Sequence, residues 1–278
     1  MLSWNLQLRK GLPLISALTV LGAGHMASAI LRSLLDASAV APEALTICDI
    51  RPDAAAPFTA RGARFEPDPA AAVRRSELVL LAVRPAQLPA LLAEVAPVCA
   101  GKTLVSIAAG VSTSYIRSLV PQAHVVRVMP NATMMVGRGA IAIAEAPDVP
   151  AASFEAAVSL FSAGGVTEII PESAMNAVVS VNGSSPAYFY RMAAVIAEFA
   201  QAHGIDPAVG LRLAAKTMEG AAAVLLSGEQ TPEELVRMVA TPGGTTQAAL
   251  DAMTQGGFDE ALRAGLEACA VRSAELGR

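Results

Sequence analysis

The chain has 278 residues, of which 54% are hydrophobic, 16% charged and 4% aromatic, enough for one large or two modest domains with a self-sufficient core. That composition excludes disorder, collagen-like repeats and disulfide scaffolds. Twenty Lys and Arg against 24 Asp and Glu give a formal charge of -4 with no basic run, so the electrostatic footprint of a nucleic-acid binder is missing.

Met1 to Leu12 read as a variable extension. The 21 residues between Lys10 and Arg32 carry no formal charge, as in a signal peptide or membrane helix. Pro13, Gly22, Gly24 and His25 interrupt the run, and its second half reads better as a strand, a glycine turn and a helix, so no membrane association is expected. Strands are predicted at 17–21, 45–49, 78–83, 103–107, 125–129, 140–144 and 166–170, and helices at 26–37, 52–60, 87–98, 113–119 and 150–162. Strands too continuously apolar to have a wet face, alternating with helices, imply an α/β domain with a parallel sheet covered on both sides. After Pro171 no strand-like run remains. Residues 171–203 read as one long helix disturbed near Gly183 and Pro186 and stopped by Gly204, followed by helices at 207–226, 232–239, 245–253 and 258–276. The expected organisation is a Rossmann-type α/β domain at 1–170 and an all-helical domain at 171–278. Alanine-rich helices with so little polar surface call for a hydrophobic dimer interface.

Cys48, Cys99 and Cys269 are far apart in apolar stretches. They read as reduced core thiols of a cytoplasmic protein rather than a zinc site. His25, His124 and His203 form no metal or catalytic set by spacing, and no metal is expected.

The most informative early motif is Gly22-Ala23-Gly24-His25-Met26-Ala27, a G-x-G-x-x-A loop between a strand and an amphipathic helix. Gly22 permits the tight turn, Gly24 lets backbone approach a pyrophosphate, small Ala27 permits close helix-to-strand packing, and the helix start offers free N–H groups to the anion. At the end of the second strand, Asp49 would accept the ribose hydroxyls of NADH and repel a 2′-phosphate, whereas Arg51 would accept that phosphate from NADPH. Asp49 holds the selecting position, so the balance leans to NADH. Ala82-Val83-Arg84-Pro85, Ser106-Ile107-Ala108-Ala109-Gly110 and Arg127-Val128-Met129-Pro130-Asn131 follow strands at the carboxyl edge, where ligands bind in this architecture.

These motifs in this order, together with Thr241-Pro242-Gly243-Gly244-Thr245-Thr246-Gln247-Ala248-Ala249-Leu250, resemble the pyrroline-5-carboxylate reductases over nearly the whole chain from Leu14. The resemblance implies an NAD(P)H-dependent reduction of a five-membered cyclic imine carrying a carboxylate, giving proline. It also implies a homodimer through the helical domain, with larger rings such as decamers. Cofactor contacts then fall to Gly22, Ala23, Gly24, His25, Met26, Asp49, Arg51, Ala82, Val83, Arg84, Pro85, Ala108 and Asn131.

In the late loop Gly243 and Gly244 can expose N–H groups just ahead of a helix start at Thr245 or Thr246, an anion nest suited to a carboxylate. The alternative reading of the same residues is a glycine turn with N-cap threonines joining two helices. Thr246 corresponds to the family threonine at the ring nitrogen and is the catalytic candidate. Thr241 stands where serine is usual, near the carboxylate, and Glu229 matches a family acid at the active-site mouth. This chain departs from the family pattern at Asn176, Val179, Asn182 and Ser185, and at Ala132-Thr133 after Asn131. Those departures keep two alternatives open, a reductase of a six-membered piperideine carboxylate and a weakly catalytic nucleotide-binding paralogue. The β-hydroxyacid dehydrogenases share the architecture but need a helix lysine with an asparagine four residues later, and Gly220 follows Lys216 at that distance.

Overall fold

A computed structural model describes residues 15–277; the extension expected at 1–12 lies outside them. In chain order the first part comprises β1 (Leu18–Leu21), α1 (His25–Asp36), β2 (Leu45–Cys48), α2 (Pro52–Thr59), β3 (Arg64–Phe65), α3 (Pro69–Val73), β4 (Leu78–Leu81), α4 (Leu88–Val95), β5 (Thr103–Ser106), α5 (Thr113–Leu119), β6 (His124–Met129), β7 (Gly139–Ala144), α6 (Ala151–Ser162) and β8 (Gly165–Ile170). The helical part follows as α7 (Ser185–Ala202), α8 (Pro207–Ser227), α9 (Pro232–Val239), α10 (Thr245–Gln255) and α11 (Phe258–Leu276).

The eight strands form one sheet in the order β3-β2-β1-β4-β5-β6-β7-β8. Every residue of β1, β2, β4 and β5 is buried, as strands covered by helices on both faces must be. One face packs on α1 and α6 through Ile30, Leu31, Leu34, Leu160 and Phe161, the other on α3, α4 and α5 through Val73, Leu88, Leu92 and Ile116. Besides the short helix α3, two features of the sheet depart from the expectation. The two-residue edge strand β3 is too short to show a period. The β6–β7 pairing is antiparallel in an otherwise parallel sheet. Only residues 130–138 join those strands, through a 3-10 turn ending at left-handed Gly137, too short a connection for a parallel crossover.

The single long helix expected over 171–203 is instead divided. A 3-10 turn at 172–174 and a π-helical turn at 179–183 precede α7. Pro186 has no N–H to give the carbonyl of Asn182 four residues back, and the Nδ2 of Asn131 donates to that oxygen instead at 3.1 Å. Gly204 ends the helical stretch in the left-handed region, φ 79°.

The described chain divides into two units, 15–184 with 267–277 and 185–266. α11 therefore begins in the helical unit and ends in the sheet unit. No helix among the described residues is long and apolar enough to cross a membrane.

Candidate active site

β1 is the point where the strand order reverses, with β2 and β3 to one side and β4 and β5 to the other. Leu21 is in register with Cys48 and with Leu81, so the segments that follow those three residues leave the sheet side by side at its carboxyl edge, where this architecture binds ligands. The glycine loop is built into it. The N–H of Gly22 donates to the carbonyl of Cys48 and that of Ala82 to Leu21, both at 2.8 Å. Gly22 sits at φ 99°, and a β-carbon there would stand 2.8 Å from the carbonyl oxygen of Ala82, so no other residue fits. Gly24 is the N-cap of α1 and no side chain caps the helix. A β-carbon on Gly24 would meet nothing within 4 Å, which is the open space a pyrophosphate needs. His25 is exposed and Met26 half-buried on the first turn, while Ala27 is packed at 1% exposure. These residues fit a dinucleotide.

Asp49 does more than wait for a ribose. Its Oδ2 accepts from the N–H of Ala23 at 2.7 Å and its Oδ1 from the N–H of Arg51 at 2.9 Å. The acid therefore braces the glycine loop from the neighbouring strand. Arg51 is an exposed side chain whose Nε lies 3.7 Å from Asp49 Oδ1. The carboxylate thus tethers the residue that would compete with it in choosing the nucleotide.

Farther along the edge, Ala82 and Val83 are half-buried, Arg84 is exposed, and Pro85 opens a 3-10 turn fixed by the N–H of Arg84 on Gln87 Oε1 at 3.3 Å. Ala108 is buried, its N–H on Ser106 Oγ. Asn131 is committed to the scaffold. Its Nδ2 bonds Asn182, and its Oδ1 accepts from the Thr133 hydroxyl at 2.7 Å and the Ala140 N–H at 3.2 Å.

The remaining candidates belong to the helical unit. The N–H of Gly244 donates to the carbonyl of Thr241 at 2.9 Å, closing a turn in which Gly243 has φ 71°. A β-carbon on Gly244 would lie 2.6 Å from Thr241 Oγ1 and 3.0 Å from its carbonyl oxygen, so a larger residue there would displace the Thr241 side chain and crowd the turn. α10 starts directly after, with Gly244 as N-cap and no side-chain cap. Neither Thr245 nor Thr246 serves as the capping residue, against the reading in which these threonines are N-caps. No side chain accepts from the first N–H groups of α10. Glu229 is exposed, next to the left-handed Gly228 that ends α8.

A buried cluster in the sheet unit was not picked out by sequence as a site. Arg127, 2% exposed, donates from Nη2 to Asn176 Oδ1 at 2.7 Å and has Nη1 4.0 Å from Glu172 Oε1. Glu172 in turn accepts from the N–H of Thr113 at 2.7 Å and from its hydroxyl at 2.5 Å. Burial pulls the Arg127 guanidinium below its ordinary range, with Glu172 opposing. A lone arginine inside the apolar strand Val125-Val126-Arg127-Val128-Met129 was the available signal. Asn182, another departure, donates from Nδ2 to the carbonyls of Met129 and Ala140, both at 2.8 Å, while Val179 packs on Met129 and Met175. Burial pushes the Cys48 and Cys99 thiols up to about 11.

A glycine loop at the switch point of a doubly wound sheet, with a helical second half, defines an NAD(P)-dependent oxidoreductase. Residues 17–110 match the family described as NADP oxidoreductase, coenzyme F420-dependent, and residues 172–276 match the one described as pyrroline-5-carboxylate reductase dimerisation. The chain is 35% identical to the pyrroline-5-carboxylate reductase of Methanosarcina acetivorans, covering 93% of this chain and 97% of that one. It is 35% identical to pyrroline-5-carboxylate reductase 3 of Macaca fascicularis over 92% and 94%. The chain belongs to the pyrroline-5-carboxylate reductase family. Its fold is that of the Coxiella burnetii enzyme, with TM-score 0.86, 26% identity and coverage of 95% and 99%. It is equally that of the Plasmodium falciparum enzyme solved with NADP bound, with TM-score 0.86, 21% identity and coverage of 94% and 98%. Its helical half is a dimerisation domain.

Proposed function

We propose that the chain reduces the C=N bond of 1-pyrroline-5-carboxylate to L-proline, using hydride from NADH in preference to NADPH. The observation that carries this reading is full-length kinship with reductases of that name, joined to an open glycine loop and an uncapped glycine-threonine helix start. The reduced nicotinamide supplies the hydride. Gly22 to Met26 hold the pyrophosphate on the start of α1, and Ala82 to Pro85 with Ala108 border the nicotinamide side. Asn131 contributes by holding the chain beyond β6. Gly243, Gly244 and the N–H groups at Thr245 bind the substrate carboxylate with Thr241, Glu229 guards the mouth, and the Thr246 hydroxyl hydrogen-bonds the ring nitrogen as it gains a proton. C=N reduction needs orientation and a proton source more than a strong base, so a site without histidine or lysine suffices.

The preference for NADH follows from Asp49. Its carboxylate stays at the strand end and repels a 2′-phosphate, while the guanidinium of Arg51, the group that would welcome that phosphate, lies against it. Residues 171–278 form the dimerisation and substrate half, dimers gather into decamers, and the enzyme works in the cytoplasm.

Steady-state oxidation of NADH and NADPH with five-membered and six-membered imine carboxylates offered in parallel tests the whole reading. A clear preference for the five-membered ring with NADH is expected. Preference for the six-membered ring would reassign the substrate. Inactivity on both rings in a folded protein that still binds nucleotide would end the enzyme reading.

A further inference from the structure

The sheet unit is made of two pieces of chain, and Asn176 is where they are tied. Arg127 ends its hydrogen-bonding reach on Asn176 Oδ1 at 2.7 Å, and the same oxygen accepts from the hydroxyl of Ser273 at 3.3 Å. Ser273, 3% exposed, lies in the last turns of α11, the segment that returns to the sheet unit after the helical insertion. That returning segment presses on the loop after β5. Gly110 has φ 81°, and a β-carbon on it would run into the carbonyl of Ser273 and stand 2.9 Å from the N–H nitrogen of Gly277. Gly110 is two residues beyond Ala108, and Arg127 is in register with Ser106 at the end of β5. One neutral oxygen thus joins the buried cation of β6, the end of the chain, and through them the strand-end loop 106–110.

The charge arithmetic explains why this joint is sensitive. Arg127 is buried with a single carboxylate near it, and both oxygens of that carboxylate are shared with Thr113. A buried guanidinium that loses a partner retains its desolvation cost without compensation, so the surroundings must rearrange when the Asn176 oxygen is removed. Ser273 bonds that oxygen and its helix packs on the loop at Gly110, so both lie directly in the path of such a rearrangement.

We propose that Asn176 is a positioning residue for nucleotide binding: it clamps Arg127 to the returning end of α11 and so holds loop 106–110 in the form that accepts the dinucleotide. This rests on the reading that the loop after β5 borders the nucleotide. The test uses the full-length oligomer and reads NADH dissociation by fluorescence titration, independently of imine turnover, alongside thermal unfolding. Asn176→Ala is expected to weaken NADH binding about tenfold, while Asn176→Asp, which keeps an acceptor oxygen for both donors, recovers affinity to within about twofold. Ser273→Ala, a milder cut that leaves Arg127 partnered, is expected to weaken binding about threefold and covers the case in which Asn176→Ala does not fold. A lowered melting temperature with unchanged NADH affinity in Asn176→Ala or Ser273→Ala would overturn the proposal, as would an aspartate variant that binds no better than the alanine one. Absence of imine reduction by the unsubstituted protein, with NADH still bound, would instead count against the proposed function.

Discussion

The two units solve the burial problem in opposite ways. In the sheet unit the largest side chains are the most hidden, with Phe58, Phe161, Leu18, Ile47 and Leu80 at or below 1% exposure. In residues 185–266 the buried positions are Pro186, Ala193, Ala200, Gly210, Ala214 and Ala240, all small or proline, while Tyr190, Phe199, Leu213 and Leu226 stand more than 60% exposed. Small residues let α7 and α8 approach closely, as Gly210 shows, where a β-carbon would lie 2.7 Å from that of Ala200. Close approach of two helices leaves their large residues facing outward. Covering one such side chain contributes roughly 1.5–3 kcal/mol, so the nineteen large apolar side chains that residues 185–266 expose form an interface awaiting its partner rather than a solvated surface. The comparison teaches that apolar composition alone does not locate a core: the same excess is folded inward in one half and outward in the other.

The strongest way to break that contrast is to charge the outward face. Leu213→Asp is expected to dissociate the oligomer to monomers and aggregates in light scattering, and an intact assembly would mean the face is not the interface. In the sheet unit the comparable blow is Gly22→Ala. The strained φ and the clash with Ala82 should weaken nucleotide binding at least about tenfold in fluorescence titration, leaving the oligomer whole. Thr246→Ala sharpens the functional side of the contrast. It should lower kcat by about 10- to 100-fold with nucleotide affinity held, since it removes one positioned hydroxyl from the helical half; equal loss in both would make the loop structural. Gly210→Ala, which overfills the α7–α8 contact, should cost about 1–3 kcal/mol in thermal unfolding without touching nucleotide affinity.

The smallest effect is set by pH. Both Cys48 and Cys99 have thiols raised from 9.0 to about 11, so the folded chain holds two protons that the unfolded chain releases. That contribution is complete below pH 9 and is lost as pH rises through 11, and unfolding midpoints should fall across that window. Replacing both thiols by alanine should flatten the slope.

Strand positions were legible because fully buried strands are continuous apolar runs, and the glycine loop because turn, approach and packing each demand a small residue at a fixed place. The break before α7 was only half legible. Gly183 and Pro186 announced a disturbance, but the replacement of a missing proline N–H by Asn131, 51 residues away, is a tertiary event that no local pattern carries. The same holds for Asp49, whose place at the strand end was readable while its bond to the Ala23 N–H was not. Asn176 and Asn182 stood out in the sequence as departures near the substrate side. In the structure both are wired into the sheet unit, on Arg127 and on the carbonyls of Met129 and Ala140.

Because the chain leaves the sheet unit after Ser184 and comes back at Glu267, the nucleotide-binding half is finished last. The two crossing strands of chain meet where Cys269 Sγ bonds Ser184 Oγ at 3.3 Å. Domains emerging from the ribosome commonly fold from the N-terminal side first, but here residues 15–184 lack the packing on Gly110 and the Ser273 hydrogen bond to Asn176 until residues 267–277 are made. A nascent chain stalled anywhere inside the helical insertion would carry a complete glycine loop on an unfinished support.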